Sequence, residues 1–136
     1  MLPLLLLACA GSPRHPLGLP LAACPPTPNC VSSLADPSDA EHYIPPLPAP
    51  GPAAQSLERA AALLAARPRT TVLTVDGAWL HATERSRLWG YVDDIELWAD
   101  VDSGLLHLRS AARVGRTDMG VNRRRMEELS ALWAQP

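Results

Sequence analysis

The chain has 136 residues and a mass of 14.6 kDa, room for one small domain. A net charge of −2 and a pI near 6.0 argue against a nucleic-acid binder driven by a global positive field. All but two of the 15 prolines lie at or before Pro52, so helix interiors and central strands belong to the second half, because proline lacks an amide donor and fixes its own φ.

Residues 1–9 form an apolar run ending in Cys9 and followed by Ala10, Gly11 and Ser12. A membrane-spanning helix needs about 20 apolar residues, so the run fits an export signal ahead of small residues. Leu6-Leu7-Ala8-Cys9 resembles a bacterial lipobox, in which the cysteine is acylated and becomes the new N-terminus. Leu21-Ala22-Ala23-Cys24 is a rival whose upstream segment is a poor apolar core. Residues 10–23 are then a tether. With lipid on Cys9, Cys24 and Cys30 remain, separated by the turn-rich Pro25-Pro26-Thr27-Pro28-Asn29. Such a spacer can bring two Cα atoms within the ~4.4–6.8 Å of a disulfide; on spacing alone, free buried thiols are the alternative. No second ligand pair stands nearby, which speaks against structural zinc.

Residues 24–52 read as an extended wrapping segment, with Pro45-Pro46-Leu47-Pro48 and Pro50-Gly51-Pro52 polyproline-like. A first helix is expected from Ala53 or Ala54, where Leu57, Ala60, Ala61 and Leu64 repeat at helical spacing, and it stops before Pro68. Four strands follow at 70–75, 78–85, 91–99 and 105–110, with Asp76-Gly77 as a hairpin turn. A last helix over about 119–134 has Thr117 or Asp118 as its cap and Met126, Leu129 and Trp133 on its buried stripe. Short turns make the strands antiparallel, and the fold class is α+β: a single small domain with a sheet of about four strands, one helix before and one after it.

Strand alternation places His81, Arg85, Asp94, Glu96, His107 and Arg109 on one sheet face. Cross-strand ion pairs on a solvated face and a functional site are the two readings of that mixture.

Three blocks carry a resemblance. Cys24 to Ser33 is the first, Arg85-Ser86-Arg87-Leu88-Trp89-Gly90-Tyr91-Val92-Asp93-Asp94-Ile95-Glu96 the second, and Leu108 to Arg125 the third. In order and spacing they resemble domain-of-unknown-function family 1499 over about residues 24–134. Tyr91 and Ala112 stand where the family usually has Phe and Ser. Its members are often bacterial envelope lipoproteins, so the resemblance implies export, lipid anchoring on the periplasmic side with the outer membrane ahead of the inner, and a Cys24–Cys30 bond. It implies no activity.

The third block carries the sharpest chemistry. Arg109, Arg113 and Arg116 approach the start of the last helix, where free amides favour an anion and guanidinium forks grip carboxylate or phosphate. With Asp93, Asp94, Glu96, Asp118 and Asn122 they form the candidate ligand-binding set, an anionic small molecule or lipid headgroup being the ligand. The competing reading is that the carboxylates already neutralise these arginines. Enzyme readings are weaker: Asp93 and Asp94 are adjacent on a strand and point to opposite faces, and no G-x-S-x-G, P-loop or H-E-x-x-H is present. No catalytic residue, metal or cofactor is assigned. Arg123-Arg124-Arg125, with Arg124 and Glu128 four apart, reads as a solvated helix face or a contact for an envelope partner. The expectation is a non-catalytic, lipid-anchored binding or accessory domain, with an uncharacterised enzyme as the alternative.

Overall fold

The computed structural model describes residues 20–136. The segment 1–9, its Cys9 and most of the tether therefore lie outside the described residues. The chain order is β1 (Cys30–Ser32), β2 (Leu47–Pro48), α1 (Ala53–Ala65), β3 (Thr70–Asp76), β4 (Trp79–Arg85), β5 (Val92–Asp100), β6 (Leu105–Ala112) and α2 (Val121–Trp133). The expected α+β architecture is present, with six strands where about four were expected. The order β1-β6-β5-β4-β3 is antiparallel throughout, and β2 lies beside β6 near its start, paired Leu47 to Leu106.

The four long strands pair as hairpin chemistry requires. Asp76 and Trp79 close the β3–β4 turn, and Gly77 supplies its positive φ of 58°. The β3–β4 ladder shifts between Val72 and Thr74, a bulge that leaves Leu73 without a partner on the sheet's free edge. Leu80, Ala82, Ile95, Leu97, Leu106 and Leu108 all project to one side and are buried there beneath the helices. From α1 they meet Leu57, Ala60 and Leu64, and from α2 Met126, Leu129 and Trp133. Each of these fully buried Leu or Ile side chains contributes roughly 1.5–3 kcal/mol over exposure.

Helix α1 keeps its expected limits, ending ahead of Pro68. Helix α2 starts at Val121, later than expected, because Met119 (φ 56°) and Gly120 (φ 79°) are left-handed and cannot belong to it. Asp118 still serves its first turn: its carboxylate accepts the Gly120 N–H at 2.9 Å and the Asn122 N–H at 3.0 Å. The extended segment is stitched to the body. Cys24 and Cys30 are disulfide-bonded with their Cα atoms 5.7 Å apart, and packing begins ahead of them at the buried Leu21.

Candidate functional site

The sheet face away from the helices carries the polar mixture expected from strand alternation. His81 on β4 reaches diagonally to β5, its Nε2 lying 2.7 Å from Asp94 Oδ1. Arg113, just past β6, donates its Nε–H to Asp94 Oδ2 and its Nη2–H to Oδ1, both at 2.8 Å, a planar fork on one carboxylate. Burial pushes the Asp94 carboxyl up, but the bonds from His81 and Arg113 outweigh it and hold the group below its ordinary range. Beside it, Glu96 accepts from Arg109 Nη1 and from Trp79 Nε1, each at 3.2 Å. Arg109 also donates to the Ala23 carbonyl at 3.3 Å, tying the chain ahead of the disulfide to the sheet.

Rings stack in pairs on this face, Trp79 on His81 and Trp98 on His107. The Leu108 N–H donates to Ser33 Oγ at 2.9 Å, and the same hydroxyl is hydrogen-bonded with His107 Nδ1, also 2.9 Å away. Burial lowers the pKa of His107.

Asp93 points the other way, under α2, where it accepts from Arg125 Nη2 at 2.8 Å. Arg125 Nη1 donates to Asn122 Oδ1 and Ser110 Oγ, and its Nε lies 3.1 Å from Glu84 Oε2. Arg67 holds the same Glu84 at 2.9 Å, and with its other arm reaches Glu128. Burial raises the Asp93 pKa despite Arg125, whereas for Glu84 the two arginines outweigh burial and lower it.

The eight candidate ligand residues are thus divided by the sheet. Arg109, Arg113, Asp94 and Glu96 close on one another on one face; Asp93 and Asn122 join Arg125 and Ser110 on the other, with Asp118 beside Asn122. Arg116 is exposed and takes part in none of these ion pairs. The residue missing from the sequence reading is Arg125, which is buried. The signal was present: Asn122, Arg125, Met126 and Leu129 continue one helical stripe, so Arg125 had to face inward. Arg123 donates to the Ala40, Glu41 and Tyr43 carbonyls, and Glu128 pairs with Arg67 rather than Arg124. The basic run is therefore mostly structural rather than solvated.

One groove of about 540 Å³ opens at the end of the sheet where the 86–91 and 113–120 loops meet. Tyr91, Val114 and Val121 form its apolar wall, and Asp93 and Asp118 its acidic base. Among the described residues no group of three or more His, Cys, Asp or Glu side chains could hold a metal ion, and no helix is long and apolar enough to cross a membrane.

The model of a family described as a protein of unknown function, DUF1499, matches residues 20–132. The chain belongs to the DUF1499 family. The match begins where the described DUF1499 structure begins and takes in the disulfide, the whole sheet and nearly all of α2. No curated protein and no solved structure matches the chain.

Proposed function

We propose that this DUF1499 protein is exported, anchored by lipid on Cys9 at the periplasmic side of a bacterial envelope, and works there as a non-catalytic binding or accessory domain. The observation that carries the reading is the Cys24–Cys30 disulfide. Such bonds persist in oxidising compartments, which supports export, and a cysteine engaged in one is not available for acylation, which favours Cys9 over Cys24 as the lipobox thiol. A binding role fits better than catalysis because the ionisable groups are spent on each other. Asp94 is shared by His81 and Arg113, Glu96 by Arg109 and Trp79, and Asp93 and Glu84 by Arg125. An anionic ligand then meets the exposed Arg116, while the other candidate residues hold the strand-to-helix junction in shape.

Metabolic labelling with a clickable fatty acid in a bacterial host tests the anchor. Label is expected on the wild type and on Cys24→Ser, and is expected to vanish in Cys9→Ser; label retained by Cys9→Ser would sink the assignment.

A further inference from the structure

We infer that the end of the sheet formed by the 86–91 and 113–120 loops is a membrane-contact surface, which lays Leu88 and Trp89 into the interface of an anionic bilayer. This deepens the envelope reading, on which it rests, by naming the anionic ligand of Arg116 as the lipid headgroup layer.

The apolar part of the surface is large and projects outward. Leu88 is 85%, Trp89 77% and Met119 86% exposed, and Tyr91 and Val114 are more than half exposed. The two loops are neighbours, since the Arg113 N–H donates to the Val92 carbonyl and Tyr91 and Val114 share one groove. The 86–91 loop is preformed. The Ser86 N–H donates to the Tyr91 carbonyl at 2.8 Å, the Tyr91 N–H returns to Ser86 Oγ at 2.9 Å, and Gly90 takes the positive φ (66°) the turn needs. Leu88 and Trp89 are thus held out to solvent by a closed turn that neither of them packs against the core.

Charge selects the partner. Arg85 and Arg87 flank the apolar tip and Arg116 stands on the adjacent loop, all exposed. The carboxylates at this end already have partners: Asp94 has Arg113, Asp93 has Arg125, Asp118 has the first turn of α2, and Glu41, which borders the 117–120 segment, has His42 at 3.6 Å. Asp76, Asp100 and Asp102 lie in the turns at the opposite end of the sheet. A chain of net charge −2 therefore presents a positive, apolar end and a negative one. Indole and phenol rings favour the bilayer interface, arginine stems can lie along lipid while their heads meet phosphate, and anionic leaflets attract such clusters over about a Debye length. A tether from Cys9 to Leu21 spans at most ~40 Å, so an anchored domain stays close to the bilayer.

The test uses the full chain carrying Cys9→Ser, so that no lipid anchor contributes, and vesicles of equimolar phosphatidylglycerol and phosphatidylcholine against pure phosphatidylcholine. Binding is expected to the anionic vesicles, weakened by salt. A further Leu88→Ser/Trp89→Ser change is expected to lower affinity at least about tenfold, and Arg85→Gln/Arg87→Gln/Arg116→Gln on the order of a hundredfold, with the salt dependence largely gone. Unchanged melting temperatures establish that these exposed substitutions leave the fold intact. Equal binding to both vesicles, variants that bind like the parent, or a photocrosslinker at position 89 that captures only protein in cells would overturn the surface. Failure here with Cys9 labelled in the wild type removes the docking surface alone; vesicle binding with no label on Cys9 removes the anchor alone.

Discussion

Replacing Arg125 by methionine preserves much of its volume and strips Asp93 and Glu84 of a shared cation beneath α2. Removing one partner of a buried ion pair typically costs ~3–5 kcal/mol, because the remaining charges are left without compensation. Urea unfolding of Arg125→Met should show a loss of that size, whereas Arg116→Gln, exposed and outside the network, should stay within ~0.5 kcal/mol of the parent. An Arg125→Met midpoint equal to the parent's would show that the network contributes nothing net. At this scale the sequence is only half informative. Alternation along β5 separates Asp93 from Asp94, and the structure keeps them on opposite faces. It does not reveal that Asp94 would be gripped by a fork from Arg113, because that contact depends on where the chain goes after β6 leaves the sheet. Asn122, which the sequence places beside the arginines of the junction, instead serves Arg125, whose inward phase is set by the helix stripe.

The extended segment is where element-level reading falls short. Its prolines rule out long strands, and β1 and β2 are so brief that no alternation can be recognised in them. They form because the outer edge of β6 offers unpaired amides and carbonyls, a property of the assembled sheet and not of the segment itself. Side chains add fixings along its length. His42 has Thr27 O at 2.9 Å from Nε2 and Asp39 Oδ2 at 2.8 Å from Nδ1, two acceptors for two ring protons. The disulfide restricts the unfolded chain over a short loop, for which the chain-entropy model gives about 2 kcal/mol. Cys24→Ser/Cys30→Ser should therefore lower stability by roughly that amount and speed hydrogen exchange at Val31 and Ser32 before it does so in β5. Equal exchange rates in both proteins would mean that β1 holds without the bond. The helices, in contrast, were legible: α1 from its apolar repeat and the proline that ends it, α2 from everything except a left-handed start at Met119 and Gly120.

For the whole molecule, the charge networks set the pH range in which it is stable. Asp94 and Glu84 have depressed pKa values, so their contribution is present above the unfolded carboxyl value near ~4 and is lost as pH falls through the folded values. The His42 pKa is raised by its bonds to Thr27 and Asp39; its contribution is complete below the unfolded value near ~6.5 and is lost as pH rises through the folded one. His107, lowered by burial, acts in the opposite sense and loses stability as pH falls from ~6.5. Thermal unfolding across pH should show a shallow loss as pH falls below about 6.5 that steepens into an acid limb below about 4, and a shallow decline above about 6.5, and His42→Asn should abolish only the decline on the alkaline side. A decline that survives in His42→Asn would assign it elsewhere. The layer arrangement behind these networks was the most legible feature, because hairpin turns fix the register and the register fixes both faces at once. The bulge at Leu73 was not legible, and it matters most when many copies share a surface. Two copies of the domain that meet edge to edge would present β3, the long free edge of the sheet. By breaking the even spacing of its donors and acceptors, the bulge makes that edge a poor template for another copy's strand, so a high local concentration need not lead to polymerisation.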